Sequence, residues 1–188
     1  ADTIVDVLDA KGAPVRMLTL QATKDSWITL RSEDANDPAV RLGQFAEMDL
    51  DDYMYFNGEV LKIFRLARGP DADMIFYANG GKRRAFLNTS PAAHGLDDMC
   101  YAVEPKPAGA RLVPNGLPVF TLNYSNDDDG ERELGRDSRL MFTAPAKGTY
   151  GIRVGDTRGW SGDRFAYRLV VRDPMPDFAV GLRSTPEV

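Results

Sequence analysis

The sequence has few of the residues from which most reactive sites are built. It contains one cysteine, Cys100, and one histidine, His94. A single cysteine excludes an intrachain disulfide, and no Cys/His spacing suits a structural zinc site. A nucleophile paired with a base would have to bring Cys100 or a serine to His94, and no Gly-x-Ser-x-Gly elbow is present. Gly80-Gly81 lacks the Gly-Lys-Ser/Thr ending of a phosphate loop. Cys100, between Met99 and Tyr101, reads as a small buried hydrophobe. These gaps argue against an enzyme.

Other features are missing as well. No apolar run approaches the roughly 20 residues that a membrane-spanning helix needs, and no signal peptide is visible. Excess positive charge is absent: the formal net charge is −5. An acidic chain is a poor match for nucleic acid or an anionic bilayer, which both require a basic footprint. The one basic cluster, Lys82-Arg83-Arg84, follows Gly80-Gly81 and reads as a solvated hairpin end. A sustained 3.6-residue apolar period is scarce too. The stretch Asp37 to Met48 is the one place where a short helix is expected.

What the sequence does have is short extended runs separated by turn chemistry. Thr3 to Leu8 is β-branched and apolar, and Asp9-Ala10-Lys11-Gly12 closes it. Val15 to Leu20 and Trp27 to Leu30 are further strand candidates. Tyr53-Met54-Tyr55-Phe56, Asn57-Gly58 and Glu59 to Phe64 read as a two-residue hairpin, because Asn and Gly both tolerate positive φ. Met74 to Tyr77 and Arg84 to Leu87 flank Asn79-Gly80-Gly81 in the same way. Later candidates are Pro118 to Tyr124, Ser138 to Thr143, Thr149 to Val154 and Phe165 to Val171. The last of these would place Phe165, Tyr167, Leu169 and Val171 on one face, with Pro174 and Pro176 ending it. Residues 105–118 are rich in Pro and Gly and read as a connector. Many short strands with such turns indicate a sandwich or barrel.

The stretch from Asn126 to Arg172 resembles the bacterial pre-peptidase C-terminal domain family. The matching pieces are Asn126-Asp127-Asp128-Asp129-Gly130, Asp137-Ser138-Arg139-Leu140, Phe142 to Tyr150, Arg153-Val154 and Tyr167 to Val171. Asp2 to Gly12 looks like the strand and turn that precede the Asn-Asp-Asp loop in that family. Asp156-Thr157-Arg158-Gly159 and Pro174 to Phe178 are similar to copies in planctomycete surface proteins. In the family the first strand and the acidic loop lie close in sequence, whereas here about a hundred residues separate them. The resemblance therefore implies an all-β, jelly-roll-like β-sandwich built from residues 1–20 plus 119–180. A small β-barrel or hairpin domain would be inserted at 21–118, with 181–188 as a tail. The family also has strands before the position of Asp2, so a chain starting at Ala1 would leave an open sheet edge for the insert, a neighbouring domain or another subunit. Within the insert, Asn88 to Gly95 resembles a turn in a small β unit of phage and bacterial surface proteins, where the residue matching His94 is structural.

Two kinds of site are candidates. Asn126, Asp127, Asp129 and Asp137 could supply hard oxygens to calcium, with Asp2 and Asp6 as companions. The competing reading is a solvated Asx-turn loop. An EF-hand register fails, because Arg136 occupies the place of the closing glutamate. Trp160, in Arg158-Gly159-Trp160-Ser161-Gly162, could stack on a sugar, and so could Tyr53 and Tyr55 on an open strand face. The competing reading for these rings is packing. Asp49-Leu50-Asp51-Asp52 flanks the Tyr53 strand, and sequence neighbours give no evidence of carboxylates set ~5–10 Å apart across a cleft. The expectation is a non-catalytic structural or adhesive module of a secreted or cell-surface protein, partnered by other subunits or domains. The alternative is a calcium-assisted carbohydrate-binding accessory module.

Overall fold

The computed structural model describes residues 2–31, 39–76, 96–127 and 137–174. The chain is all-β and its strands are antiparallel. In chain order the strands are β1 (Thr3–Leu8), β2 (Arg16–Arg31), β3 (Ala39–Leu42), β4 (Tyr53–Phe56), β5 (Glu59–Lys62), β6 (Met74–Ile75), β7 (Met99–Pro107), β8 (Val119–Asn123), β9 (Ser125–Asn126) and β10 (Gly151–Asp156). They form a seven-stranded sheet of order β5-β4-β7-β2-β3-β6, with β8 also on β2, and a three-stranded sheet of order β10-β1-β9.

The larger sheet is organised by β2, which is 16 residues long. Two expected strands, Val15 to Leu20 and Trp27 to Leu30, fall in this one element, which begins one residue later, at Arg16. The polar run Thr23-Lys24-Asp25-Ser26, which suggests a break, lies at a register shift against β7 between Ala22 and Lys24. An extra residue in one strand reverses the side-chain alternation beyond it. Ala22 therefore lies opposite Val103, while Lys24 lies opposite Ala102. Leu20 and Ala22 pack with Val60, Val103 and Leu122 on one side. Past the bulge, Ile28 packs with Met54, Phe56, Leu61, Phe76 and Cys100 on the other. One strand thus serves both faces of its sheet. The position dividing residues 1–20 from 21–118 lies inside β2.

The β4–β5 hairpin forms as its sequence predicts. Asn57 and Gly58 have φ of 43° and 98°, and Tyr53↔Lys62 to Phe56↔Glu59 pair in register. Elsewhere the structure corrects the local reading. The expected helix within Asp37–Met48 is replaced by β3 and a 3-10 turn at Phe45–Glu47. Val40 and Leu42 are buried there, and pairing with β2 outweighs a weak helical pattern. The connector expected at 105–118 begins later, because β7 runs to Pro107. Pro105 and Pro107 pair with Leu20 and Leu18. β4 lies along β7 only from Tyr101 to Val103, so both prolines occupy a stretch where their missing N–H costs no ladder bond. Among the described residues neither Ser138–Thr143 nor Phe165–Val171 joins a ladder. Asn79-Gly80-Gly81, Lys82-Arg83-Arg84 and His94 lie outside the described residues, as does the second strand of that expected hairpin.

The two sheets meet where β1 turns into β2 and β8 runs into β9. Asp9 closes the first turn, its Oδ1 accepting from the N–H groups of Lys11 and Ala13. Three backbone bonds then form a closed cycle. Val7 N–H donates to Tyr124 O at 2.8 Å, Tyr124 N–H to Val15 O at 2.9 Å, and Val15 N–H to Val7 O at 2.9 Å. Val7 and Val15 are buried around it.

One close approach in the larger sheet gives a test. A Cβ built on Gly43 would lie 2.3 Å from the Trp27 indole. Gly43 N–H also donates to Trp27 O at 2.9 Å, so the glycine cannot easily retreat. Gly43→Ala should cost about 1–3 kcal/mol through overpacking, measured by denaturant unfolding. A change below about 0.5 kcal/mol would contradict this packing.

Candidate interaction surface on the small sheet

The small sheet is made of strands from distant parts of the chain. β1 is its central strand, with Val5 opposite Val154 and Val7 opposite Ile152 on one side. On the other side, Val5 lies opposite Asn126 and Asp6 opposite Ser125. One face carries Asp6, whose Oδ2 meets Arg153 Nε at 2.9 Å and whose Oδ1 accepts from Ser125 Oγ at 2.6 Å. The opposite face carries Thr3, Val5, Val7, Ile152 and Val154. Thr3 Oγ1 shares a 2.7 Å hydrogen bond with Ser138 Oγ. Asn126 Nδ2 donates to Arg139 O at 2.7 Å. Phe142 packs edge-on between Tyr124 (4.8 Å between centroids) and Tyr150 (5.0 Å), closing one end. Tyr150 also donates its hydroxyl to Ala146 O at 2.8 Å, pinning the turn before β10.

Among the described residues β10 pairs with β1 alone. The bond from Thr157 N–H to Asp2 O, 2.8 Å, fixes which amides face β1. Alternation along an antiparallel pair then turns the N–H groups of Ile152 and Val154 to the outer edge. Ile152 is 44% exposed. The segment after β10 also presents apolar surface to solvent. Tyr167 is 67% exposed, Val170 61% and Val171 72%. These exposed apolar side chains follow one another along a single segment of the chain.

The connection from β10 to that segment is well tied. Asp156 Oδ2 accepts from Asp2 N–H at 3.2 Å and Oδ1 from Arg158 N–H at 3.0 Å. Gly159 N–H bonds Asp156 O, and Phe165 N–H bonds Gly162 O. Trp160 stands between Arg158, 5.2 Å above its ring, and Phe165, 6.3 Å away edge-on. Trp160 remains 58% exposed.

The other candidate residues are dispersed. Tyr53 and Tyr55 lie on β4, on the face of the larger sheet that also carries Val60 and Val103. Tyr55 stacks on Phe120 at 3.8 Å, and Lys62 sits 5.8 Å over the Tyr53 ring. Neither ring touches Trp160. Sequence spacing did not signal the Tyr55–Phe120 stack, which depends on β4 and β8 sharing a sheet. In the acidic loop, Asn126 is buried and Asp127 half-buried. Asp127 Oδ1 is enclosed and accepts no hydrogen bond among the described residues. Asp137 is exposed beside Ser138, whose hydroxyl reaches Asp127 O at 3.2 Å. Asp129 lies outside the described residues. Among the described residues no three His, Cys, Asp or Glu side chains converge, and no helix is long and apolar enough to cross a membrane. Cys100 is enclosed in the larger sheet, where burial pushes its thiol up to about 12. Such a thiol is not ionised at neutral pH and is a poor nucleophile. Asp49 and Asp52 both reach Lys24, at 3.3 and 3.2 Å, so this acidic group ties a loop to the bulge of β2.

The Asp2 N–H, followed by those of Arg158 and Trp160, holds the Asp156 carboxyl below its ordinary range despite some opposing desolvation. A depressed folded value adds stability above the unfolded pKa of ~3.9, and that stability is lost as pH falls through the folded value. The melting-temperature gap between the native protein and Asp156→Asn should therefore be widest near neutral pH and shrink below about pH 4. A gap independent of pH would contradict this role. No family model, curated protein or solved structure matches the chain.

Proposed function

We propose that the chain is a non-catalytic structural or adhesive module of a secreted or cell-surface protein. It would engage other subunits or domains by strand addition at the outer edge of β10. The supporting observation is that edge: outward amides at Ile152 and Val154, with the Ile152 side chain exposed among them. An unpaired edge next to apolar surface is a template for another strand. The resemblance of Asn126–Arg172 to pre-peptidase C-terminal domains, with Asp2–Gly12 as the preceding strand, points the same way, and the reading of 21–118 as an inserted domain belongs to the same proposal. The buried, protonated state expected of Cys100 and the packed tyrosines fit a module without chemistry of its own.

Proline at position 154 would remove one outward N–H and leave the β1 ladder intact. Val154→Pro should keep a cooperative melt and lose concentration-dependent association in sedimentation. Unchanged association, or a glycan-array signal abolished by Trp160→Ala, would overturn the reading.

A second reading is favoured by the enclosed Asp127 Oδ1. Calcium bound through Asn126, Asp127, Asp129 and Asp137 would give that oxygen a partner and stiffen the start of a carbohydrate-binding loop. Calcium would then raise the melting temperature over that in EDTA, and Asp127→Asn would remove the increase. Equal melting points in calcium and EDTA would dismiss this reading.

A further inference from the structure

Residues 158–172 have a character unlike the rest of the chain. They hold four arginines, Arg158, Arg164, Arg168 and Arg172, against one aspartate, within a protein of net charge −5. The remainder is therefore more acidic than the whole. Arg164, Arg168 and Arg172 are exposed and make no ion pair among the described residues. In extended form these three share one side of the segment, and Phe165, Tyr167, Leu169 and Val171 share the other. The segment is a strand in its sequence, two-faced and half apolar, yet it adds to no sheet of its own chain among the described residues.

Its connector is tied down by local bonds. Asp156 clamps the turn after β10 through the Asp2 and Arg158 amides. The Gly162–Phe165 turn and the Trp160–Phe165 contact fix the next bend. Both turns are formed in a chain whose arm joins no ladder with β10 among the described residues.

Resting on the docking edge proposed above, we infer that the occupant of β10 is residues 164–172 of a second copy of this chain, exchanged reciprocally about a two-fold axis. An isologous contact needs a donor surface and an acceptor surface on each copy, and each copy has the arm and the β10 edge. Antiparallel addition sets Arg164 of the arriving arm at the Asp156 end of β10. There Asp156 lies opposite Thr3 and its carboxylate accepts from the Asp2 N–H, while Asp137 is the chain neighbour of Ser138, which bonds Thr3. Arginine in an arm and carboxylates at the receiving end are complementary and fix the direction of addition. Two arms, each with two aromatic and several aliphatic side chains, would remove on the order of 1,000 Å² from water, the scale of a specific interface.

The test uses the full chain. Copies carrying Val154→Cys are mixed with copies carrying either Tyr167→Cys or Leu169→Cys under mild oxidation. Cys100 is buried and does not compete. A disulfide-linked heterodimer that forms only in the mixture is the expected result. Sedimentation should also show a dimer that salt weakens and that Arg164→Glu/Arg168→Glu/Arg172→Glu converts to monomer. A link formed within single chains carrying both cysteines would overturn the exchange and close the edge as well. Association lost in Val154→Pro but retained in the triple arginine variant would overturn the arm as occupant and leave the docking edge standing. A chain that remains monomeric at every concentration and forms no mixed link would also overturn the exchange.

Discussion

The fold depends on three backbone hydrogen bonds among Val7, Val15 and Tyr124. They come from three separate strand passages and close a cycle between the two sheets. A hydrogen bond of this kind contributes only about 1 kcal/mol net, but breaking one while its groups stay buried costs more. Val7 and Val15 are buried, so the cycle has little freedom to exchange its partners for water. It fixes the register of β1 and hence where β10 can pair. The small sheet, with few strands of its own, borrows stability from the larger one through this seam.

The larger sheet shows a different economy. β2 carries apolar side chains to both faces by inserting a bulge at its most polar stretch. Lys24 at the bulge is tied to Asp49 and Asp52, and Ser26 donates its hydroxyl to Gly43 O. Polar residues in the middle of a strand are therefore anchors for the loop that covers it. The Tyr55–Phe120 stack and the prolines of β7 finish the opposite face and its edge.

Much of this was legible in the sequence, and the exceptions have physical causes. β1, the β4–β5 hairpin and β8 are visible because turn residues bracket them. The pairing of Val5 and Val7 with Val154 and Ile152 brings two strands from far apart in the chain together. β2 reads as two strands because alternation cannot distinguish a bulge from a break. The helical reading of Asp37–Met48 rested on local pattern, and Val40 and Leu42 instead fill the core beneath β2. Among the candidate sites, Trp160 is exposed as its Gly-flanked setting suggests. The partner of Tyr55 was not legible, because Phe120 comes from the other half of the chain.

Edge geometry then decides what the small sheet can do. β1 is sealed on both sides, β9 is two residues long, and β10 presents the amides of Ile152 and Val154. Amide hydrogen exchange in dilute solution, read residue by residue, tests this account most directly. Val7, Val15 and Tyr124 should exchange only through global unfolding, along with Arg153 and Gly155, whose N–H groups face β1. Ile152 and Val154 should exchange much faster than their immediate neighbours. Fast exchange at the Val7–Val15–Tyr124 cycle, or uniform protection along β10, would contradict it.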